Sequence, residues 1–177
     1  MALIVETGHG GADSESFCSV AFATTYHANM GNAAWAALAS DTVREQMLRR
    51  ATVYIEEVYR LRWAGYRQTD TQALSWPRHE VPRKDSYTGI LTGDWGNYYE
   101  SDTVPAEVQR ACAELALRAS TGDLSPDLDR PTTSEAVGPI SVTYAVGSRQ
   151  FVKFRAIENL LEPFLMASGS SMKVVRA

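Results

Sequence analysis

Histidine and cysteine are scarce in this chain: 177 residues include three histidines and two cysteines. The histidines stand in no recognisable catalytic motif. Cys18 and Cys112 have neither CxxC spacing nor a histidine at ligand spacing, and no carboxylate pair or metal-ligand spacing matches a known site. We therefore expect no catalytic residue, no metal ligand and no cofactor, and a protein that is not an enzyme.

Long apolar runs and early basic residues are also absent. No run approaches the roughly 20 apolar residues of a membrane-spanning helix, and no lysine or arginine precedes Arg44. We therefore expect no membrane association and no secretory or transit segment. Both cysteines lie in stretches with a helical pattern, which predicts buried, reduced thiols in a cytoplasmic protein. We expect a single domain over residues 1–166 and a tail over 167–177.

Charge is distributed unevenly, although it sums to only −4. Residues 41–84 carry nine bases and six acids, whereas residues 85–146 carry ten acids and three bases. The last segment, 147–177, has five bases and two acids. This alternation favours docking between protein surfaces over a dedicated nucleic-acid binder, which usually has a basic stripe and a high pI.

A glycine-rich stretch at residues 7–14 follows a short apolar run, 2–6, that is typical of a strand. A phosphate-binding loop has the same general composition. Here, however, no Gly-Lys-Ser/Thr is present, and Asp13 occupies the place of the third glycine of GxGxxG. We therefore expect a flexible lead-in and no phosphate site.

Helical periodicity and capping residues predict a mainly α fold, a small bundle of about four to five helices with long loops, a short β-hairpin arm and an extended C-terminal tail. Ser19 is suited to cap the first helix and Ser40, or Asp41, the helix at 41–60, while Gly31 and Gly122 are suited to end helices. The predicted helices are 20–30, a short turn at 33–38, 41–60, 105–120 and 151–166, and the hairpin arm is 132–147. Pro163 should kink or restart the last helix.

Two of these helices have a clear apolar stripe, with apolar residues every three or four positions. In helix 105–120 the predicted buried residues are Val108, Cys112, Leu115 and Ala119. In helix 41–60 the predicted apolar stripe is Val43, Met47, Ala51, Tyr54 and Val58, with Leu48 and Ile55 beside it.

The stretch between these helices contains a tryptophan, a proline and an arginine in succession. Pro77 restricts the backbone of Trp76, so Trp76 is predicted to be an apolar anchor between the helices, with Arg78 at its surface end. Trp35 is a second predicted structural anchor. The wider connection, 61–82, interleaves aromatics with arginines, a pattern found at single-stranded-DNA sites and at protein interfaces.

Three further segments are predicted to contact partners. Residues 85–102 form a long aromatic loop, and such loops tend to be functional. The hairpin arm and the basic tail are the other two segments. The candidate partner-binding residues are Tyr87, Trp95, Tyr98 and Tyr99 in the loop, Val142 and Tyr144 in the hairpin arm, and Lys173 and Arg176 in the tail.

Several sequence blocks carry a family resemblance: Ser-Phe-Cys-Ser-Val at 16–20, Ala-Ala-Trp at 33–35, Gln-Ala-Leu-Ser-Trp-Pro-Arg at 72–78 and Val-Pro at 104–105. With the segment 137–144, they resemble the head-to-tail connector, or adaptor, proteins of tailed bacteriophages and prophages. Related sequences are often labelled DnaT-like single-stranded-DNA-binding proteins.

The resemblance implies a structural virion protein. About a dozen identical subunits would form a ring beneath the portal protein, contact a neck or tail protein below, and line the channel with non-specific contact to passing double-stranded DNA. The protein would be made in the host bacterial cytoplasm and reside in the virion neck. The alternative is a DnaT-like replication protein that binds single-stranded DNA.

Overall fold

The computed structural model describes residues 2–84, 97–127, 134–137, 140–143 and 152–166. In this part of the chain the fold is mainly helical, as predicted, with five α-helices and two small antiparallel hairpins. The elements are α1 (Val20–Asn29), α2 (Ala33–Ala36), α3 (Asp41–Tyr59), β1 (Tyr66–Arg67), β2 (Arg78–His79), α4 (Ala106–Ala119), β3 (Ser134–Val137), β4 (Ile140–Thr143), α5 (Arg155–Leu161) and a 3-10 turn (Glu162–Phe164).

The helix starts follow the predicted capping chemistry. Ser19 Oγ accepts a hydrogen bond from the Phe22 N–H at 3.1 Å, and Ser40 Oγ accepts one from the Val43 N–H at 3.3 Å. Gly31, with φ of 72°, lies just after the end of α1. These bonds satisfy amide groups that a helix leaves without partners in its first turn.

The last helix is shorter than predicted. α5 begins at Arg155, not at 151, and ends at Leu161, where the chain continues as the 3-10 turn Glu162–Phe164, so the helix is interrupted next to Pro163 as predicted. Pro163 lies in that turn. Because proline has no amide hydrogen to donate, it interrupts regular α-helical bonding there.

The buried face of α3 differs from the predicted stripe. The buried residues are Leu48, Ala51, Thr52, Ile55 and Tyr59. Of the five residues of the predicted stripe only Ala51 is buried, whereas Leu48 and Ile55, which were predicted to lie beside the stripe, are both buried. The other four stripe residues are displaced toward the edge of the buried arc: Val43, Met47 and Tyr54 are half-buried, and Val58 is 38% exposed.

Helix α4 buries the predicted residues and packs against α3. Its buried face also includes three alanines, which allow close approach. Cys112 Sγ lies 3.4 Å from Thr52 Oγ1 of α3. Both cysteines are free and buried, as predicted, although Cys18 precedes α1 and is not part of a helix.

Short backbone pairings join four segments after α3. Residues 62–64 pair with 164–166, with the Met166 N–H donating to Arg62 O at 2.8 Å. β1 pairs with β2, and residues 81–83 pair with 97–99. We call residues 60–67, 78–84, 97–100 and 162–166 the strand layer. Residues 2–6, by contrast, form only an isolated bridge at Val5 instead of the expected strand.

Candidate nucleic-acid interface

The predicted tryptophan anchors lie in the core. Trp76 is fully buried and Trp35 is 1% exposed. The Trp76 ring meets Trp63 edge to face, with 5.7 Å between ring centroids, and meets Phe164 in the same way at 5.5 Å. Pro77, joined to Trp76 by a cis peptide bond, is buried as well. These rings hold the 72–78 loop against the start of the strand layer and are not available to stack nucleotide bases.

Arg78 is buried, so the prediction that it lies at the surface is wrong. Its guanidinium donates to the backbone carbonyls of Ala64 at 2.8 Å, Gly65 at 2.6 Å and Ser75 at 3.1 Å. Burial lowers the pKa of Arg78, the nearby Arg67 charge lowers it further, and Glu56 opposes both effects. Arg78 therefore ties the Trp76 loop to the chain that follows α3.

Arg67 is also used by the fold. It donates to the carbonyl oxygens of Gln72 and Leu74. The buried Gln72 side chain in turn donates to the carbonyl oxygen of Pro77 at 3.1 Å. Two arginines and two tryptophans of the 61–82 connection are therefore structural, and any ligand contact has to come from the other members of this connection.

The exposed aromatic residue of this connection is Tyr66, at 68% exposure. It lies directly opposite His79 in the β1–β2 pair, and His79 is exposed too. Residues directly opposite in an antiparallel pair project from the same face, about 5 Å apart at their Cβ atoms. Tyr98, 43% exposed, lies in another pairing of the strand layer, opposite Pro82.

Two exposed arginines of the strand layer lie over aromatic rings. The Arg62 guanidinium carbon is 5.0 Å from the centroid of Tyr59, and that of Arg83 is 4.8 Å from the centroid of Tyr99. These are cation–π distances. The rings restrict both guanidinium groups while leaving the residues exposed.

The exposed surface of the strand layer carries more bases than acids. Four exposed arginine and lysine side chains stand against three exposed acids. This local excess contrasts with the net charge of −4 of the whole chain. The bases are Arg60, Arg62, Arg83 and Lys84, and the acids are Glu80, Glu100 and Glu162.

The structure places two of the other predicted partner-binding residues. Tyr99 is half-buried, with its ring 4.8 Å from that of Phe164. Val142 lies in β4, opposite Glu135 of β3. The remaining predicted residues lie outside the described ranges: Tyr87, Trp95, Tyr144, Lys173 and Arg176.

The glycine-rich loop is built around a carboxylate that the sequence analysis did not single out. Glu6 is 4% exposed. Its Oε1 accepts the amide hydrogens of Gly8, His9 and Gly10 at 2.8–3.0 Å, and its Oε2 accepts from the Gly11 amide and the Ser14 hydroxyl at 2.9 and 2.8 Å. The expectation of a flexible lead-in is therefore wrong. The amides that could bind a phosphate already bind Glu6.

Among the described residues no cluster of three or more His, Cys, Asp or Glu side chains is placed to hold a metal ion. Within the same ranges, no helix is both long and apolar enough to cross a membrane.

A family model described as "Putative DnaT-like ssDNA binding protein" matches residues 1–177. The chain belongs to this family. No curated protein gives a significant match, and neither does any solved structure. The family description names single-stranded-DNA binding and does not mention a connector, so the match favours the alternative function over the connector role.

The strand layer, where this chain exposes aromatic and basic groups, was not predicted from the sequence. Its strands β1 and β2 are two residues long, too short for the alternation that identifies a strand. The available signal was the mixture of aromatics and arginines in 61–82, but sequence alone did not separate exposed Tyr66 from buried Trp63 and Trp76.

Proposed function

We propose that this DnaT-like protein binds single-stranded DNA through the strand layer. The observation that carries the proposal is the exposed pair Tyr66 and His79, directly opposite each other in β1 and β2, in a layer that also exposes Arg62 and Arg83. The family match to residues 1–177 supports the same function.

Stacking is the main attraction that this surface offers. Unpaired bases present flat π faces, and stacking on an aromatic side chain contributes about 1–3 kcal/mol per base. Tyr66 has the exposure that stacking needs, at 68%. Arg62 and Arg83 add planar cations already positioned over Tyr59 and Tyr99, so ordering them costs less entropy than ordering free side chains.

The charge of the layer makes phosphate contacts possible but limits their number. Four exposed bases face three exposed acids. We therefore propose that the layer neutralises about two or three phosphates, which corresponds to a slope of log K against log salt of roughly −2 for a single strand.

The experiment is a titration of a fluorescently labelled oligothymidine with wild-type protein and single variants, followed by anisotropy. Tyr66→Ala should weaken binding by about 1–3 kcal/mol, the usual value of one stacked base. Arg62→Ala and Arg83→Ala should weaken it too and reduce its salt dependence. The matched control is Arg110→Ala, an exposed arginine of α4 outside the layer, which should bind like wild type.

Absence of wild-type binding at low salt would overturn the proposal. So would an Arg110→Ala variant that loses as much affinity as Arg62→Ala, because the attraction would then come from charge anywhere on the protein and not from this layer.

A second candidate function, the connector subunit, is favoured by the hairpin of β3 and β4. Its strands pair with each other, and no third strand joins them in the described residues. An isolated two-stranded hairpin is marginally stable in water, and its free edges can pair with another chain. In this role the hairpin would dock a neighbouring subunit, a neck or tail protein, or the portal protein in the virion neck.

Light scattering distinguishes the two functions. A connector should give a ring-sized complex when mixed with the portal protein of its phage, and deletion of 132–147 should abolish the complex. A DNA-binding protein should leave the mass of the portal protein unchanged. If adding this protein leaves the measured mass of the portal protein unchanged, the result counts against the connector function.

A further inference from the structure

The outer face of α3 is a surface that neither proposed function uses. It carries Gln46, Arg50, Val53 and Glu57, all exposed. Val53 is 54% exposed in the middle of the helix. An apolar side chain so exposed at this position gains free energy if another surface covers it.

A groove runs beside Val53, between α3 and the chain that follows α4. Its volume is about 380 Å³, and Arg50, Tyr54 and Glu57 contribute to the helix side of its wall. The opposite wall contains Asp123 and Leu124. The groove is therefore large enough to receive a small apolar side chain from another molecule.

Charges of opposite sign lie on either side of Val53. Arg50 and Glu57 are seven residues apart, which is two helical turns or about 10 Å on nearly the same face. Arg50 uses one N–H to reach the carbonyl of Ala119 at 3.1 Å, and a guanidinium has five N–H donors. Glu57 forms no ion pair with any described residue.

We propose that this face binds a second copy of the chain, with two α3 helices packed antiparallel about a two-fold axis that passes between Val53 and Tyr54. Arg50 lies three residues before Val53, and Glu57 lies three residues after Tyr54. The two-fold axis therefore places Arg50 of each copy opposite Glu57 of the other copy. Each Arg50 faces the partner's Glu57, and each Val53 enters the partner's groove. A surface that matches itself in this way is typical of a two-fold interface.

The contact is small, because it consists of one helix face and the adjacent groove. Stable interfaces usually bury at least about 1,200 Å², so the dimer should form reversibly at high protein concentration. The strand layer lies beyond the C-terminal end of α3, and this proposal does not depend on DNA binding.

Sedimentation velocity over a wide concentration range tests the proposal. Wild-type protein should shift from monomer toward dimer as its concentration rises. Arg50→Glu and Glu57→Arg should each stay monomeric at concentrations where wild type dimerises, since each variant brings like charges together. The matched control, Arg110→Glu, reverses a charge on α4 and should dimerise like wild type.

Mixing the two single variants gives the sharpest result. In a mixed dimer, the carboxylate introduced by Arg50→Glu would face the guanidinium introduced by Glu57→Arg, and the second contact would be the original pair of Arg50 and Glu57. An equimolar mixture should therefore regain the dimer that each variant alone has lost. A fold defect would not be repaired by mixing. Wild-type protein that is monomeric throughout, a larger ring, or a mixture that stays monomeric would overturn the proposal.

Discussion

The Nε–H of Arg78 donates to the carbonyl oxygen of Ala64 at 2.8 Å, so a buried cation joins β2 to the chain that follows α3. Two further carbonyls, of Gly65 and Ser75, share the same guanidinium. The Arg78 guanidinium therefore links the strand layer to the Trp76 loop, and the contribution of this side chain to stability can be measured.

Arg78→Met should lower the free energy of unfolding by about 3 kcal/mol, because the variant keeps much of the side-chain volume but leaves buried carbonyls without donors. The measurement is urea denaturation followed by circular dichroism. Arg110→Met, at an exposed site on α4, is the control and should unfold near the wild-type midpoint. Equal midpoints for Arg78→Met and wild type would contradict the structural role of Arg78.

Trp76→Ala should be more destabilising, by about 3–5 kcal/mol, since it removes a fully buried ring and leaves a cavity. The ring contacts both Trp63 and Phe164, so the strand layer should loosen together with the core. Thermal unfolding measures the effect. Tyr66→Ala, which removes an exposed aromatic ring, is the control and should change the melting temperature little. A Trp76→Ala variant that melts like wild type would contradict the anchor role.

The Glu6 carboxylate predicts a specific loss of stability in acid. Burial raises its pKa, but hydrogen bonds from Ser14, Gly8, Gly11 and Gly10 together hold the pKa below the usual value of 4.5. A group whose folded pKa is depressed contributes stability that is complete above its unfolded pKa and is lost as pH falls through the folded pKa. The stabilising effect of Glu6 should therefore be present near neutral pH and disappear below about pH 4.5.

The Glu6→Gln variant tests whether the stabilising effect of Glu6 is lost as pH falls. Its amide group cannot accept all five hydrogen bonds, so the variant should be less stable than wild type at pH 7 by about 1–3 kcal/mol. The difference should shrink as pH is lowered from about 5 toward about 3, because wild type then loses the same interaction. Denaturant midpoints across this range provide the measurement, with Glu100→Gln, at an exposed site of the strand layer, as the control. A difference that stays constant with pH would rule out this role of Glu6.

The presence of the helices could be predicted from the sequence, because capping residues and apolar periodicity depend on residues that are close together in the chain. Ser19 and Ser40 cap the predicted helices, and the buried stripe of α4 is the predicted one. The α3 stripe could not be resolved to one residue. Both Met47 and Leu48 are apolar, and which of them faces inward depends on where α4 packs, a tertiary effect that local pattern does not contain.

The candidate site was less predictable, because it depends on which residues the fold uses internally. Arg78 and Arg62 have similar sequence surroundings, yet Arg78 is buried and Arg62 exposed. Glu6 was equally hidden: five donors converge on it only when the glycines fold back, Gly8 with φ of 101° and Gly10 with φ of 68°. Such long-range and conformational requirements leave no periodic trace in a sequence.

Single-strand binding through the strand layer is tested most directly by two affinities of the wild-type protein, one for a labelled single strand and one for a duplex of the same length. Both are measured at several salt concentrations. Binding through the strand layer predicts saturable binding that favours the single strand, since its bases are free to stack on Tyr66. It also predicts an affinity that falls as salt rises. Equal affinity for the duplex, or no binding of the single strand even at low salt, would contradict single-strand binding through the strand layer.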